Sequence, residues 1–222
     1  MKKFLKLLVC ASLAFHFPLS APHSASAQIT HASQGNLDEV AKAILDKAAK
    51  KLQNMSGVVT LSILDSQKKT TAQQSARVYY SKGRYRLVMD AMEIVSDGTT
   101  VWQWDKKAKE IVVNNVPAND GLNLLNPATL IANRDKNFRS KYIRTDPDGT
   151  AIIDLQPRSS QSYHKLRLFV VEETGLLRRV EVHKYDSSRE IYVFDNITTS
   201  SIKTPFVINT ADHPDAEVID MR

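Results

Sequence analysis

The chain has 222 residues, of which 42% are hydrophobic and 24% charged, and its formal net charge is +6. Half of this positive net charge comes from Lys2, Lys3 and Lys6, so residues 28–222 carry a net charge of only +3. These values are typical of one globular domain of ordinary size, and they exclude the strongly basic balance of a nucleic-acid-binding protein.

Residues 1–27 have the features of a cleavable signal peptide. Three lysines precede an apolar run over residues 7–17, and Ala25-Ser26-Ala27 is the small-x-small pattern that signal peptidase cuts. The run is shorter than the roughly 20 residues that span a bilayer. We therefore predict cleavage between Ala27 and Gln28, and a periplasmic product that forms a single domain over residues 28–222.

Cys10 is the only cysteine, and it lies inside the apolar run. A lipidation cysteine stands at the cleavage point after a small residue, whereas Cys10 follows Val9, so we expect no lipid anchor. The exported chain then has no cysteine and no disulfide, and its stability must come from a packed core.

Residues 28–36 are polar and without periodicity, which predicts a frayed arm. From Leu37 to Leu52, apolar side chains recur at spacings of three and four. This pattern predicts an amphipathic helix that has Asn36 as its N-cap and ends near residues 54–57.

Short segments rich in Val, Ile, Tyr or Trp follow over residues 58–116, separated by turn sequences such as Asp97-Gly98, and predict six antiparallel strands. The leucine-rich residues 117–133 predict two short helical turns, the second with Asn126 as its cap and Pro127 in its first position. The β pattern then resumes for five or six segments, the last of them Phe206–Ile208.

One helix and a short insert are too small to cover a flat sheet of about 11 strands. We therefore expect a mainly β fold in which the sheet curls into an unclosed antiparallel barrel, with the helices on its concave side. In the last long strand, Tyr192 and Phe194 alternate with Ile191 and Val193. Apolar residues on both faces of a strand are more than a core on one side of the sheet requires, and they indicate that apolar side chains also line a cavity.

The sequence lacks the motifs of nucleophilic, zinc-dependent and phosphate-binding enzymes. Its histidines outside the signal, at positions 31, 164, 183 and 213, are scattered without the spacing of metal ligands. We therefore expect no enzymatic activity, no metal and no cofactor.

Trp102 and Trp104 are two residues apart in a predicted strand, so both rings lie on one face of the sheet. We expect Tyr85, Leu87 and Met89 on a nearby strand to share that face. Two interpretations stay open: an aromatic ridge of the core, or the wall of a hydrophobic pocket.

Residues 83–113 resemble the LolA family of periplasmic outer-membrane lipoprotein carriers. Arg84-Tyr85-Arg86, Ile94-Val95-Ser96-Asp97-Gly98 and Val101-Trp102 match the family's basic-aromatic segment and its Val-Ser-Asp-Gly run before a tryptophan. The order of signal, helix, strands, leucine-rich insert and further strands also matches. The resemblance implies an unclosed β-barrel with a helical lid over a cavity for the acyl chains of lipoproteins.

The resemblance also implies partners and site residues. An inner-membrane ABC-type transporter would load the carrier, an outer-membrane acceptor, whose identity the sequence leaves open, would unload it, and the carrier itself would be a monomer. The expected cavity residues are Tyr85, Leu87, Met89, Trp102, Trp104, Leu122, Leu124, Leu125, Leu130, Ile131, Leu166 and Leu168.

In the family, an Arg followed by Pro precedes the aromatic segment and ties the lid to backbone carbonyls, but Ser81-Lys82 stand at that place here. The candidates for a substitute latch are Lys82, Arg84 and Arg86. Two other functions remain open on the same fold: a periplasmic regulatory module that senses a lipid or peptide, and a carrier of another lipid.

Overall fold

The computed structural model describes residues 31–116 and 127–222. The helices in these two ranges are α1 (His31–Leu52), α2 (Pro127–Ala132) and α3 (Arg134–Asn137). The strands before the gap are β1 (Asn54–Leu64), β2 (Thr70–Ser81), β3 (Arg84–Val88), β4 (Met92–Ser96), β5 (Thr100–Asp105) and β6 (Glu110–Asn115). Those after it are β7 (Phe138–Thr145), β8 (Thr150–Pro157), β9 (Tyr163–Val171), β10 (Leu177–Lys184), β11 (Arg189–Thr198) and β12 (Glu217–Asp220).

All twelve strands form one unclosed sheet in the order β12-β6-β5-β4-β3-β2-β1-β11-β10-β9-β8-β7. Neighbouring strands are antiparallel, except that β12 runs parallel to β6 at one edge. The prediction of a mainly β half-barrel is confirmed. The Asp97-Gly98 turn behaves as expected, because Gly98 has a φ of +96° between β4 and β5.

Several boundaries differ from the sequence prediction, and β1 already begins at Asn54, where the helix was expected to end. Helix α1 begins at His31 and includes residues predicted to be an arm, because each residue added to an existing helix costs little and gains a hydrogen bond. Phe206–Ile208 is not a strand, and the last strand is instead Glu217–Asp220 in the tail. Phe206 and Ile208 are nevertheless buried, so their apolar pattern reports packing and not strand pairing.

Helices α1 and α2 cover one face of the sheet, which we call the inner face. Along α1, one stripe is buried and consists of Ala41, Ile44, Leu45, Ala48 and Leu52. It belongs to the same core cluster as the inner-face side chains of the strands. Burial of each Leu or Ile in such a stripe contributes about 1.5–3 kcal/mol, which fixes α1 on the sheet.

The turn between β9 and β10 anchors α1. Lys47 donates hydrogen bonds from Nζ to the carbonyl oxygens of Glu172 (2.8 Å) and Glu173 (3.2 Å). Gly175 has a φ of +74°, and a Cβ placed on it would lie 2.7 Å from Cγ of Lys47. Glycine at position 175 therefore permits both the turn and the close approach of α1.

The opposite face of the sheet, which we call the outer face, carries a smaller apolar cluster. Val95, Ile111, Val113 and Ile208 are buried there, with Trp102, Trp104 and Ala216 packed against them. The C-terminal segment, residues 205–222, supplies Ile208 and Ala216 and is held by an ion pair of 2.8 Å between Lys109 and Asp215. None of the helices in the described residues is long and apolar enough to cross a membrane.

Candidate functional site

Two small apolar cavities lie on the inner face. The first has a volume of about 40 Å³ and lies among β1, β2, β3 and β11. The second has a volume of about 10 Å³ and lies between α2 and strands β9, β10 and β11. Tyr192 and Phe194 line both, so these two side chains form the wall between them.

Strand periodicity explains how these side chains reach one face. Val59 and Leu61 are two residues apart in β1 and therefore share a face. In β11, Phe194 lies opposite Val59 and Tyr192 opposite Leu61. On the other side of β1, Ala76 pairs with Val59. Because successive side chains of a strand point to opposite faces, all these residues lie on the inner face.

The cavity wall contains two phenols that stay neutral. The Tyr192 hydroxyl donates a hydrogen bond to Oε2 of Glu190 (2.9 Å), and burial together with the Glu190 charge raises the pKa of Tyr192 well above its usual range. Burial also raises the pKa of Tyr80. With both phenols neutral, the first cavity has no charged group among the described residues of its lining, which is mostly apolar apart from these phenols, Gln74 and Ser75.

Helix α2 covers the second cavity with Pro127, Leu130 and Ile131, and on the opposite wall are Leu168 and Val180. Leu130 is 2% exposed and Ile131 is fully buried. Apolar helical side chains thus lie over the inner face, as the sequence predicted for the leucine-rich insert. We call α2 the lid helix.

Arg134 ties the lid helix to α1. Its guanidinium donates from Nη1 to the carbonyl oxygen of Ile131 (3.0 Å) and from Nη2 to Oδ1 of Asp46 (2.6 Å). The Arg134 side chain is 4% exposed and that of Asp46 is 46% exposed. The hydrogen bond from Arg134 is the main cause of a lowered pKa at Asp46.

The expected cavity residues fall into groups. Leu87 and Met89 line the first cavity, and Leu130, Ile131 and Leu168 line the second. Tyr85 and Leu166 are buried in the same inner core without lining either cavity. Leu122, Leu124 and Leu125 lie outside the described residues, as does Asn126, the expected cap of α2.

The prediction that Trp102 and Trp104 share a face with Tyr85, Leu87 and Met89 is wrong. Both tryptophans lie on the outer face, where the Trp104 ring centroid is 3.9 Å from that of His213. In the sheet, Trp102 pairs with Val95, whereas Leu87 pairs with Ile94. A difference of one residue in register moves a side chain to the other face.

The predicted latch residues do not contact the lid helix within the described part of the chain. Arg86 donates to the carbonyl oxygen of Pro205 (2.8 Å) and forms an ion pair with Glu93, while the Arg84 guanidinium lies 4.8 Å from the Phe206 ring centroid. Lys82 occupies a turn with a φ of +49°. Arg84 and Arg86 thus hold the C-terminal segment, and Arg134 makes the contact expected of a latch.

Sequence reasoning missed three features of this site. The apolar faces of β11 drew attention to Tyr192 and Phe194, but not as the wall between two cavities. Tyr80 follows β-type spacing in β2 and gave no further signal. Arg134 stands beside the predicted insert, and an arginine between apolar helical residues and a strand was the available clue.

The described residues bring no group of three or more His, Cys, Asp or Glu side chains together in a form suited to a metal ion. What the inner face offers is apolar surface, two neutral phenols and a short helix held by one guanidinium. An unclosed sheet with two apolar cavities on its inner face, one of them under a short helix, defines the class of half-barrel proteins with an apolar interior.

Comparison with known proteins gives the family. Residues 50–205 match the family described as "Outer membrane lipoprotein carrier protein LolA", and the chain belongs to this family. It is 29% identical over 111 residues to the outer-membrane lipoprotein carrier protein of Actinobacillus pleuropneumoniae serotype 3, a match that covers 50% of each chain. It is 30% identical over 133 residues to the corresponding protein of Haemophilus ducreyi, covering 58% of this chain and 59% of that one.

The chain thus spans about half the length of the curated relatives it matches. Among solved structures, an uncharacterized conserved protein from Thermus thermophilus is similar with a TM-score of 0.53 and 14% identity. That match covers 81% of this chain and 98% of the other, and it supports the fold alone.

Proposed function

We propose that the protein is a periplasmic carrier that binds the acyl chains of lipoproteins on the inner face of its half-barrel and shuttles them from the inner membrane to the outer membrane. The observation that carries this proposal is the pair of apolar cavities on the inner face, the second of which is covered by the lid helix. Membership of the LolA family supports it. The protein acts by binding and release and is not an enzyme.

The physical requirement for such a carrier is an apolar container. Each acyl CH₂ removed from water gains about 0.8 kcal/mol, so a lipoprotein with several long chains does not cross an aqueous compartment unaided. The two cavities hold only a few water-sized volumes in this conformation. The lid helix and the wall formed by Tyr192 and Phe194 therefore move apart when cargo enters.

Release requires that this rearrangement be easy. Helix α2 has six residues, far fewer than the roughly 12–15 needed for a helix to be stable by itself. It therefore depends on its contacts with the inner face and on Arg134. Such a short element, which has no helical stability of its own, opens without global unfolding.

The remaining parts of the proposal concern compartment and partners. Residues 1–27 direct export and are removed, and residues 28–222 act as a single monomeric domain. An inner-membrane ABC-type transporter supplies the lipoprotein, and an outer-membrane acceptor of unassigned identity takes it. Neither a metal nor a cofactor takes part.

A release experiment tests the proposal. The purified protein is incubated with inner-membrane vesicles that carry a labelled lipoprotein and the transporter, and the vesicles are then sedimented. We expect labelled lipoprotein in the supernatant as a one-to-one complex. If the label stays with the vesicles at every protein concentration, the carrier function is wrong.

A photoreactive residue locates the cargo. Placed at Leu61, which lines the first cavity, it should cross-link to the released lipoprotein. The matched control is Tyr185, which is 70% exposed and lies away from both cavities. Equal cross-linking at the two positions would contradict binding on the inner face.

Two other outcomes identify the other functions open on this fold. Native mass spectrometry of the purified protein reveals any co-purified lipid, and a glycolipid in place of a lipoprotein indicates a carrier of another lipid. A stable membrane-protein partner, found together with failure of the release experiment, indicates a regulatory module.

A further inference from the structure

The wall of the half-barrel has a gap beside β2. Strand β1 pairs with β2 from Thr70 to Ser81, but β3 pairs with β2 only from Arg77 to Ser81. Among the described strands, residues 70–76 of β2 therefore have a hydrogen-bonded neighbour on one side only. Along this edge, side chains close the wall and backbone hydrogen bonds do not.

The gap lies between two spaces. Inside is the 40 Å³ cavity of the inner face, and outside is an open groove of about 370 Å³. Ser75, Ala76 and Met89 line both spaces. A single layer of residues thus separates the apolar interior from the surface.

The contact that closes this layer is weak. The side-chain amide of Gln74 donates from Nε2 to Sδ of Met89 at 2.9 Å, and a thioether sulfur is a weak acceptor. Met89 has three rotatable side-chain bonds, and rotamer changes are fast compared with the separation of paired strands. Opening the gap therefore requires rotation of Met89, which is 7% exposed, and of Gln74, but no rupture of backbone hydrogen bonds in the sheet.

The groove has the chemistry of a head-group site. Arg77 and Lys106 contribute two cations against the one carboxylate of Asp90, and Val58 and Val88 add apolar surface. In the part of the chain that the structure describes, no ion pair involves Arg77, Lys106 or Asp90. Two cations without carboxylate partners beside an apolar passage favour an amphiphile with an anionic head.

We propose that this gap, the side portal, binds a single-chain amphiphile with an anionic head group. The chain passes between β2 and the β3–β4 turn into the inner cavity, and the head remains outside on Arg77 and Lys106. The inference rests on the proposed function in one respect, namely that the inner cavity accepts an acyl chain. It adds a head-group site and a point of entry away from the lid helix, while accommodation of the whole chain still requires the wall formed by Tyr192 and Phe194 to move, as in the carrier proposal.

Calorimetric titration with laurate and with dodecanol, which has the same chain length without the charge, tests the head-group site. The double variant Arg77→Gln/Lys106→Gln should weaken laurate binding about fivefold, because each exposed charge contact contributes a few-fold in affinity. Dodecanol binding should change less than about twofold. The matched control is Lys107→Gln, an exposed neighbour that does not line the groove and should leave both affinities unchanged.

Stopped-flow association tests the portal itself. Met89→Trp places a rigid ring in the gap and should slow association of both probes at least about fivefold, whereas the volume-conserving Met89→Leu should not. Circular dichroism establishes that each variant is folded. The surface double variant decides the head-group site even if Met89→Trp does not fold.

Laurate affinity that is unchanged in the double variant, or association that is unchanged in folded Met89→Trp, would overturn the side portal while leaving the carrier proposal intact. Failure of the unaltered protein to bind either probe would also overturn the portal. The lipoprotein-release experiment uses neither probe and judges the carrier function separately.

Discussion

Arg134 Nη2 lies 2.6 Å from Asp46 Oδ1, and this ion pair joins the first residue of α3, just after the lid helix, to α1. The guanidinium is buried and its carboxylate partner is half-exposed, so the charge of Asp46 offsets much of the cost of burying Arg134. The same guanidinium holds the carbonyl oxygen of Ile131 at the end of the lid helix. Loss of Asp46 should therefore loosen the lid first.

We expect Asp46→Asn to destabilise the protein by about 1–3 kcal/mol. Removal of one partner of a buried pair costs more than this, but the exposure of Asp46 reduces the effect through solvent screening. Chemical denaturation measures the loss of unfolding free energy. Hydrogen exchange should show that the variant accelerates exchange in α2 more than in the sheet. Glu39→Gln, at an exposed position of the same helix, is the control for loss of a negative charge, and equal effects of the two variants would contradict the latch.

The same pair predicts how the lid responds to acid. The pKa of Asp46 is lowered in the folded protein from its ordinary value of 3.8. The stabilisation is therefore fully present above the ordinary pKa and is lost as the pH falls through the lowered one. The ratio of the hydrogen-exchange rates in α2 and β9 should be constant from pH 7 to about 5 and should increase below about pH 4. The Asp46→Asn variant should lack this selective increase.

Gly175 allows α1 to approach the β9–β10 turn, and a matched pair of glycines tests this. Gly175→Ala should cost about 1–2 kcal/mol for its positive φ and about 1–3 kcal/mol more for the contact with Lys47. Gly149→Ala has nearly the same φ, +76°, but nothing lies within 4 Å of its Cβ, so it should cost only the first amount. Equal losses of unfolding free energy in the two variants would show that α1 moves away from the Cβ at position 175 without loss of stability.

Both tryptophans of the chain lie in the outer cluster, so their fluorescence reports on the C-terminal segment. Ile208→Asp places a carboxylate among Val95, Ile111 and Val113 and should release the segment, which shifts the emission to longer wavelength. Val207→Asp is the control, because Val207 is 46% exposed and Ile208 only 6%. An unshifted emission in Ile208→Asp would mean that the segment does not shield the tryptophans.

The sheet was predictable because its information is local. Alternating apolar residues and turn sequences such as Asp97-Gly98 set most strand positions without reference to distant parts of the chain. The lid helix was predictable for the same reason, since Pro127 marks its first turn. Half-barrel closure followed from the shortage of helices to cover so many strands.

The faces and contacts were less accessible to sequence reasoning. The face of Trp102 depends on the register between β4 and β5 and on a C-terminal segment more than 100 residues away, neither of which periodicity reports. Arg134 becomes a latch because α1 happens to present Asp46 to it. The volume of the cavities depends on how side chains from six strands fit together, which a single sequence does not reveal.

Strand β1 pairs with β11, and the hydroxyl groups of Ser56 and Thr198, 142 positions apart in the chain, are joined by a hydrogen bond of 2.8 Å. Pairing between such distant segments must close a long loop before its contacts form, so sheets of this kind fold slowly. Until β11 arrives, Val59 and Leu61 lack the partners that cover them. A newly made molecule thus exposes this apolar part of the inner face while it folds, and we expect that interval to be when it is most prone to self-association.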